Sequence, residues 1–196
     1  YDLFYQLPRV FLDNYPEIDK TAYIASSSSI VGAVRIGENV SVWHNVTIRG
    51  DLNYITIDKG TNIQDNAVIH IDSNVFPTII GKYVTVGHSS IIHACELKDY
   101  SFVGMGAIIL DGSVVESDAV VAAGAIVTPG KIVPSGEIWA GNPARFLKKI
   151  DLESIKKFRQ TAEKYIEFAR AAKFGLKGKP YKFNLKSLPK LNLKKK

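Results

Sequence analysis

Three of the chain's four histidines, His70, His88 and His93, fall in the stretch from Asn62 to His93. Neutral imidazoles are good zinc donors, and three of them make the ligand set of a catalytic site that keeps its fourth position open. Arg49 and Asp65 carry opposite charges and can meet as guanidinium and carboxylate. Asp51 and Gln64 are polar groups able to orient a metal-bound water. A single histidine in such a stretch would ordinarily serve packing. A metal centre requires that the fold bring three of them to one point.

Aliphatic side chains recur every six residues: Ile24, Ile30, Ile36, Val42 and Ile48, then Ile57, Ile63 and Ile69, then Ile80, Val86 and Ile92. After one slip the phase resumes at Val103, Ile109, Val115, Val121, Val127 and Val133. A helix repeats near 3.6 and a strand near 2, so a period of six is neither. Small residues hold the fifth place of several hexads (Ala107, Ser113, Ala119, Ala125), and glycine often follows the aliphatic residue, as at Ile36-Gly37 and Val86-Gly87. This pattern predicts a parallel β-helix in which three hexads make one triangular coil around an aliphatic interior. Coils stack at the strand spacing of roughly 4.8 Å.

Counting hexads places the side chains. With residues 71–79 as a loop, Ile69 and Ile92 are three hexads apart, so His70 and His93 stand one above the other on the same edge of the prism. His88, two places after Val86, lies on a different edge. A three-histidine site therefore needs His88 from a second chain, and three equal edges favour a closed threefold ring with equivalent sites between subunits. Arg49 falls one coil from His70 and Asp65 one coil from His88, so Arg49 of one subunit should face Asp65 of the next. Asp51 and Gln64 lie near the same seam. His44 shares the His88 column two coils away and is read as structural. Ser26 to Ser29 have no histidine in register, and the glycine-rich pieces Gly104-Met105-Gly106 and Gly141-Asn142 lack phosphate-loop spacing.

The chain organises as an arm over 1–20, the β-helix over 21–142, a linker and helix over 143–174, and a lysine-rich tail over 175–196. Met105 is the only methionine, so Tyr1 is expected not to be a translation start. Phe4, Tyr5 and Phe11 in the arm could dock on a neighbour or on the chain's own coils. Asp151 can cap a helix running to about Lys173, with Ile155, Phe158, Ala162, Tyr165, Ile166 and Ala169 on one apolar face. The tail has eight lysines and no acid, so with a total of +6 the preceding residues net −2. Such a run is a solvated extension, or follows an acidic protein surface or anionic lipid, where each lysine contributes about 1 kcal/mol. With only Tyr181 and Phe183 among the lysines and no reading motif, nucleic acid is not an expected partner. The lone Cys95 excludes an internal disulfide. No stretch is long and apolar enough to cross a bilayer as a helix, so any membrane contact is expected to be peripheral.

WHNVTIRGD (Trp43 to Asp51), TNIQDNAVIH (Thr61 to His70), IIGKYVTVGHSSIIHAC (Ile79 to Cys95) and VGMGAIILDG (Val103 to Gly112) resemble the γ-class carbonic anhydrase family. SGEIWAGNPARFLKKI (Ser135 to Ile150) is more similar still to the γ-carbonic-anhydrase subunits of mitochondrial respiratory complex I in plants and protists. The resemblance covers about residues 10 to 170. It implies an all-β fold, a left-handed parallel β-helix of hexapeptide repeats in a trimer, followed by a C-terminal α-helix and basic tail. It implies zinc on His70, His88 and His93, an intersubunit pair between Arg49 and Asp65, and Gln64 and Asp51 around the bound water. Zinc held by three neutral histidines lowers the pKa of water to about 7, which suits hydration of carbon dioxide to bicarbonate; cobalt or iron fits the same donors.

The sequence departs from the strongly active members in having Leu52 where they carry glutamate, and only Asp72 in the loop from Ile71 to Ile79. Metal binding is thus implied more directly than fast turnover. The resemblance further implies a homo- or heterotrimer with related chains, peripheral on the matrix side of the mitochondrial inner membrane beside the membrane-arm subunits of complex I. A soluble homotrimeric zinc carbonic anhydrase and a hexapeptide-repeat acyltransferase are the alternatives, the latter because Gly-Asn-Pro-Ala segments also end coils there.

Overall fold

The computed structural model describes residues 11, 13–73 and 75–175. The lysine-rich tail after Gly175 and most of the expected arm lie outside the described residues.

The six-residue period folds as a left-handed parallel β-helix. Each hexad supplies a short strand whose central aliphatic side chain points inward, and the following residues turn the corner. Parallel pairing between coils stacks the aliphatic residues into three columns. One face aligns Ile30, Ile48, Ile69, Ile92, Ile109 and Val127. The second aligns Ile18, Ile36, Ile57, Ile80, Leu97, Val115 and Val133. The third aligns Ile24, Val42, Ile63, Val86, Val103 and Val121, ending at Trp139. The columns from Ile48 to Val133 are almost wholly removed from water, and Ala107, Ser113, Ala119 and Ala125 sit inside with them. Small side chains fit there because the corner narrows the triangular interior.

Corners need a residue in the left-handed region, where only glycine escapes a steric penalty and asparagine tolerates it best. Asn39, Asn45 and Asn66 take that conformation at corners, as do Gly106, Gly112 and Gly124 farther on. Gly87 has a different reason: a Cβ there would lie 2.7 Å from the Met105 amide nitrogen and 2.8 Å from the Val103 carbonyl oxygen of the next coil. That close approach places His88, the next residue, on the outer rim.

Two insertions into the six-residue period fall at one edge. Thr47–Ile57 is a single eleven-residue strand that runs around the corner, with a register shift against the neighbouring coil at Gly32 to Val34. Strands from two faces consequently merge into one eleven-stranded sheet beside an eight-stranded one. The second insertion separates Val68–His70 from Thr78–Ile80. The slip in phase is at Leu97, five residues after Ile92, where Ala94 makes the corner at φ 50°.

The coils do not stop at the Asn142-Pro143 step with a plain linker. Arg145–Lys149 adds antiparallel to Glu137–Ala140 as the last strand of the eight-stranded sheet. The charges of Arg145, Lys148 and Lys149 suit an edge that must not recruit further strands. The helix Leu152–Phe174 then turns back along the third face. Asp151 caps it by accepting from the Ser154 amide at 2.7 Å, and Gly175 closes it in the left-handed conformation. Its apolar side meets the prism through Phe158 on Phe102, with ring centroids 4.7 Å apart, and Tyr165 on Trp43 at 5.6 Å. Ala162 is wholly buried where the helix backbone comes nearest. Arg159 fixes the register by a two-pronged contact to Asp118, at 2.8 and 2.7 Å, while lying over the Tyr100 ring.

Candidate metal centre

Parallel pairing sets His70 directly opposite His93 in the next coil, each one residue beyond an inward isoleucine. Inward packing of Ile69 and Ile92 forces the following side chain outward, so both imidazoles project from the edge between the first and second faces. His70 Nδ1 and His93 Nε2 face each other at 3.2 Å. The other nitrogen of each ring meets a carboxylate: His70 Nε2 lies 3.0 Å from Asp51 Oδ1, and His93 Nδ1 lies 2.6 Å from Asp111 Oδ1.

A count of protons on this chain of groups has a chemical consequence. A neutral imidazole has one N–H. If each histidine donates it outward to its carboxylate, the two facing nitrogens present lone pairs to one another. They then repel unless a cation lies between them. Two nitrogens bound tetrahedrally at about 2.0 Å from zinc stand roughly 3.3 Å apart, close to the observed separation. Carboxylates behind metal-binding histidines are the usual outer support of such sites. The donor set therefore fits zinc.

Burial, then the Arg49 charge, then His93, lower the His70 pKa below its ordinary 6.5. The Asp51 carboxylate, which would oppose this, is itself paired with the Arg49 guanidinium. His70 is thus held neutral, the form that can ligate a metal. The charged imidazole is disfavoured in the folded chain, so between the folded and unfolded pKa values the unfolded state binds more protons. The expected outcome for metal-free protein is a thermal midpoint that falls as pH drops below about 6.5, with the fall reduced in His70→Gln. Unfolding scans across pH of both proteins check it.

His88 is elsewhere. It lies on the edge between the third and first faces, half-exposed, with Nδ1 3.0 Å from Asp65 Oδ2. Among the described residues of one chain, no group of three His, Cys, Asp or Glu side chains is placed to hold a metal. Arg49, Asp51, His70 and His93 are brought together; Asp65 and His88 form a separate pair one edge away. Gln64 is buried, its amide nitrogen donating to Asn62 Oδ1 at 3.1 Å, while Asn62 donates to Thr85 Oγ1 at 2.9 Å. That leaves the Gln64 carbonyl oxygen as the acceptor it can offer. His44 Nδ1 lies 3.2 Å from Ser27 Oγ of the preceding coil. Cys95 is buried and its thiol is pushed far up by desolvation, which makes it unreactive.

Two residues were not legible as part of this region. Asp111 lies two places after the inward Ile109, and its relation to His93 appears only once Ala94 is known to make the corner. Asn62 is a wholly buried polar side chain directly before Ile63; the signal was the one amide in a column of Tyr23, Ser41, Thr85, Phe102, Val120 and Ile138.

Fold and edge histidines together define a hexapeptide-repeat β-helix protein with paired imidazoles between coils. No protein-family model matches the chain. It is 45% identical over 152 residues to a probable carbonic anhydrase of Methanocaldococcus jannaschii, covering 78% of this chain and 95% of that one. It is 47% identical over 164 residues to the mitochondrial gamma carbonic anhydrase 1 of Arabidopsis thaliana, covering 81% of this chain and 60% of the plant protein. Among solved structures, a hexapeptide transferase family protein from Anaplasma phagocytophilum superimposes with a TM-score of 0.82 at 45% identity, covering 86% of this chain and 99% of that chain. The chain belongs to the γ-class carbonic anhydrase family. It spans about 60% of the length of the plant relatives it matches.

Proposed function

We propose that the chain is a zinc-binding subunit of a trimer on the matrix side of mitochondrial respiratory complex I. Its role there is structural and in assembly, together with reversible hydration of carbon dioxide to bicarbonate. The observation that carries the reading is the 3.2 Å approach of His70 Nδ1 to His93 Nε2, each backed by a carboxylate, with His88 on another edge of the same chain. A threefold ring is the arrangement that supplies His88 of one chain to the His70 and His93 of its neighbour. Likeness to relatives named mitochondrial supports the location. No helix among the described residues is long and apolar enough to cross a membrane; the proposed contact with complex I membrane-arm subunits or anionic lipid is a peripheral one. The lysine-rich tail over 175–196 is the segment suited to the lipid.

His70, His88 and His93 hold the metal, with cobalt or iron as chemically admissible substitutes for zinc. Bound zinc supplies the Lewis acidity that brings the pKa of water to about 7. Asp51 keeps His70 oriented, and Asn62 keeps Gln64 oriented at the seam. Arg49 and Asp65 join across the seam; in the single chain each meets a nearer partner, Asp51 and His88 respectively. Leu52, an exposed aliphatic residue, stands where the strongly active members carry a glutamate and offers no group to accept a proton, so turnover should be slower than in those members.

The test is isolation of the protein from its native membrane, with metal analysis per trimer and mass spectrometry of the accompanying chains. Zinc with complex I subunits supports the reading, whether the trimer is built of identical or related chains. A free homotrimer that holds zinc and hydrates carbon dioxide would replace the complex I assignment with a soluble enzyme. The name of the Anaplasma structure favours one other reading, a hexapeptide-repeat acyltransferase; failure to bind coenzyme A eliminates it.

A further inference from the structure

The carboxylate behind His93 belongs to Asp111, and it makes the shortest contact to either imidazole of the pair. It reaches His93 Nδ1 at 2.6 Å from the coil beyond, while His93 Nε2 faces His70. Free imidazole prefers its proton on Nε2. A carboxylate at Nδ1 reverses that preference, because it accepts from an N–H and repels a lone pair. Asp111 is carried on the corner after Ile109, and its neighbour Gly112 donates its amide to the Ala94 carbonyl oxygen at 2.8 Å. The backbone bond ties the Asp111 corner to the corner that follows His93, so the carboxylate is held by the coil stack. The ring is clamped from outside the pair, as Asp51 clamps His70 from the opposite side.

We infer that Asp111 is a positioning residue that fixes His93 as the Nδ1–H tautomer and aims its Nε2 lone pair into the gap shared with His70. The inference rests on the metal-centre reading. It concerns the ring's proton and orientation, and Asp111 touches neither the gap nor carbon dioxide.

The experiment compares unchanged protein, Asp111→Ala and Asp111→Asn, with nitrogen-15-labelled histidine observed by NMR in the zinc-free state and zinc affinity measured by chelator competition. In unchanged protein His93 should show the Nδ1–H tautomer. Asp111→Ala should shift it towards Nε2–H and weaken zinc binding roughly 10- to 100-fold, with the unfolding midpoint nearly unchanged. Asp111→Asn retains a carbonyl acceptor, so it should restore the tautomer and part of the affinity. An unchanged tautomer and unchanged zinc affinity in Asp111→Ala, alongside unchanged protein that binds zinc, would overturn the inference alone. Unchanged protein with His93 in the Nδ1–H form but no zinc binding would overturn the metal-centre reading and this inference with it.

Discussion

Replacing His93 with alanine should take zinc from about one per chain to background and remove carbon dioxide hydration, while the β-helix stays folded. The imidazole is an outward side chain, and the strand is held by Ile92 on its inner side, fully removed from water. What is lost is the Nε2 donor 3.2 Å from His70 and the hydrogen bond to Asp111. Both groups are partly exposed, so water replaces them and the stability change should stay within about 1 kcal/mol. Two donors from two different chains cannot close a zinc site that needs three. Metal analysis and stopped-flow hydration assays on the variant read the first effect, and denaturant unfolding the second. Zinc retained at the unchanged level would remove His93 from the ligand set.

The opposite pattern is expected one residue earlier in the neighbouring coil. Ile69→Ala should destabilise the chain by about 2–5 kcal/mol, since it empties part of a column in which Ile69 and its partners Ile48 and Ile92 have no exposure to water. Because each coil touches only the coils above and below, the damage should concentrate around Ile48 and Ile92, the partners of Ile69. His70 and His93 sit beside those residues, so zinc affinity should fall as well, as a secondary effect of a loosened strand. Ile132→Ala, on an outward position that is more than half exposed, should change stability by no more than about 0.5 kcal/mol. Equal costs at the two positions would contradict the inward and outward assignment of the hexad.

The hexad carried most of this information because one residue in six has no choice of direction. Once Ile69 and Ile92 point inward, His70 and His93 must point outward and stack, and they do so in register. The helix was equally plain, from the Asp151 cap to Phe174, since its apolar stripe repeats at three and four. Corners were harder. The slip that makes Leu97 an inward residue depends on the left-handed conformation of Ala94, which a side chain of that size does not advertise. The strand Arg145–Lys149 was hidden because its five residues are all exposed and show no alternation. Asp111 was missed for the same cause as Leu97: its distance from His93 depends on one corner being a residue short. Within one chain Asp65 lies 3.0 Å from His88, a contact that was not legible because the period places a column and does not name the group a carboxylate meets there.

Because the site is divided between chains, the most direct test mixes two chains that are each defective. One carries His88→Ala and the other His93→Ala; each alone should form a trimer without zinc. Unfolded together, refolded and separated by distinct tags, the mixed trimers should bind about one zinc each, because one seam then receives His88 from the second chain and His70 with His93 from the first. Mixed trimers as empty as their parents would contradict the shared site, and zinc at full level in the His88→Ala parent would place the metal within a single chain.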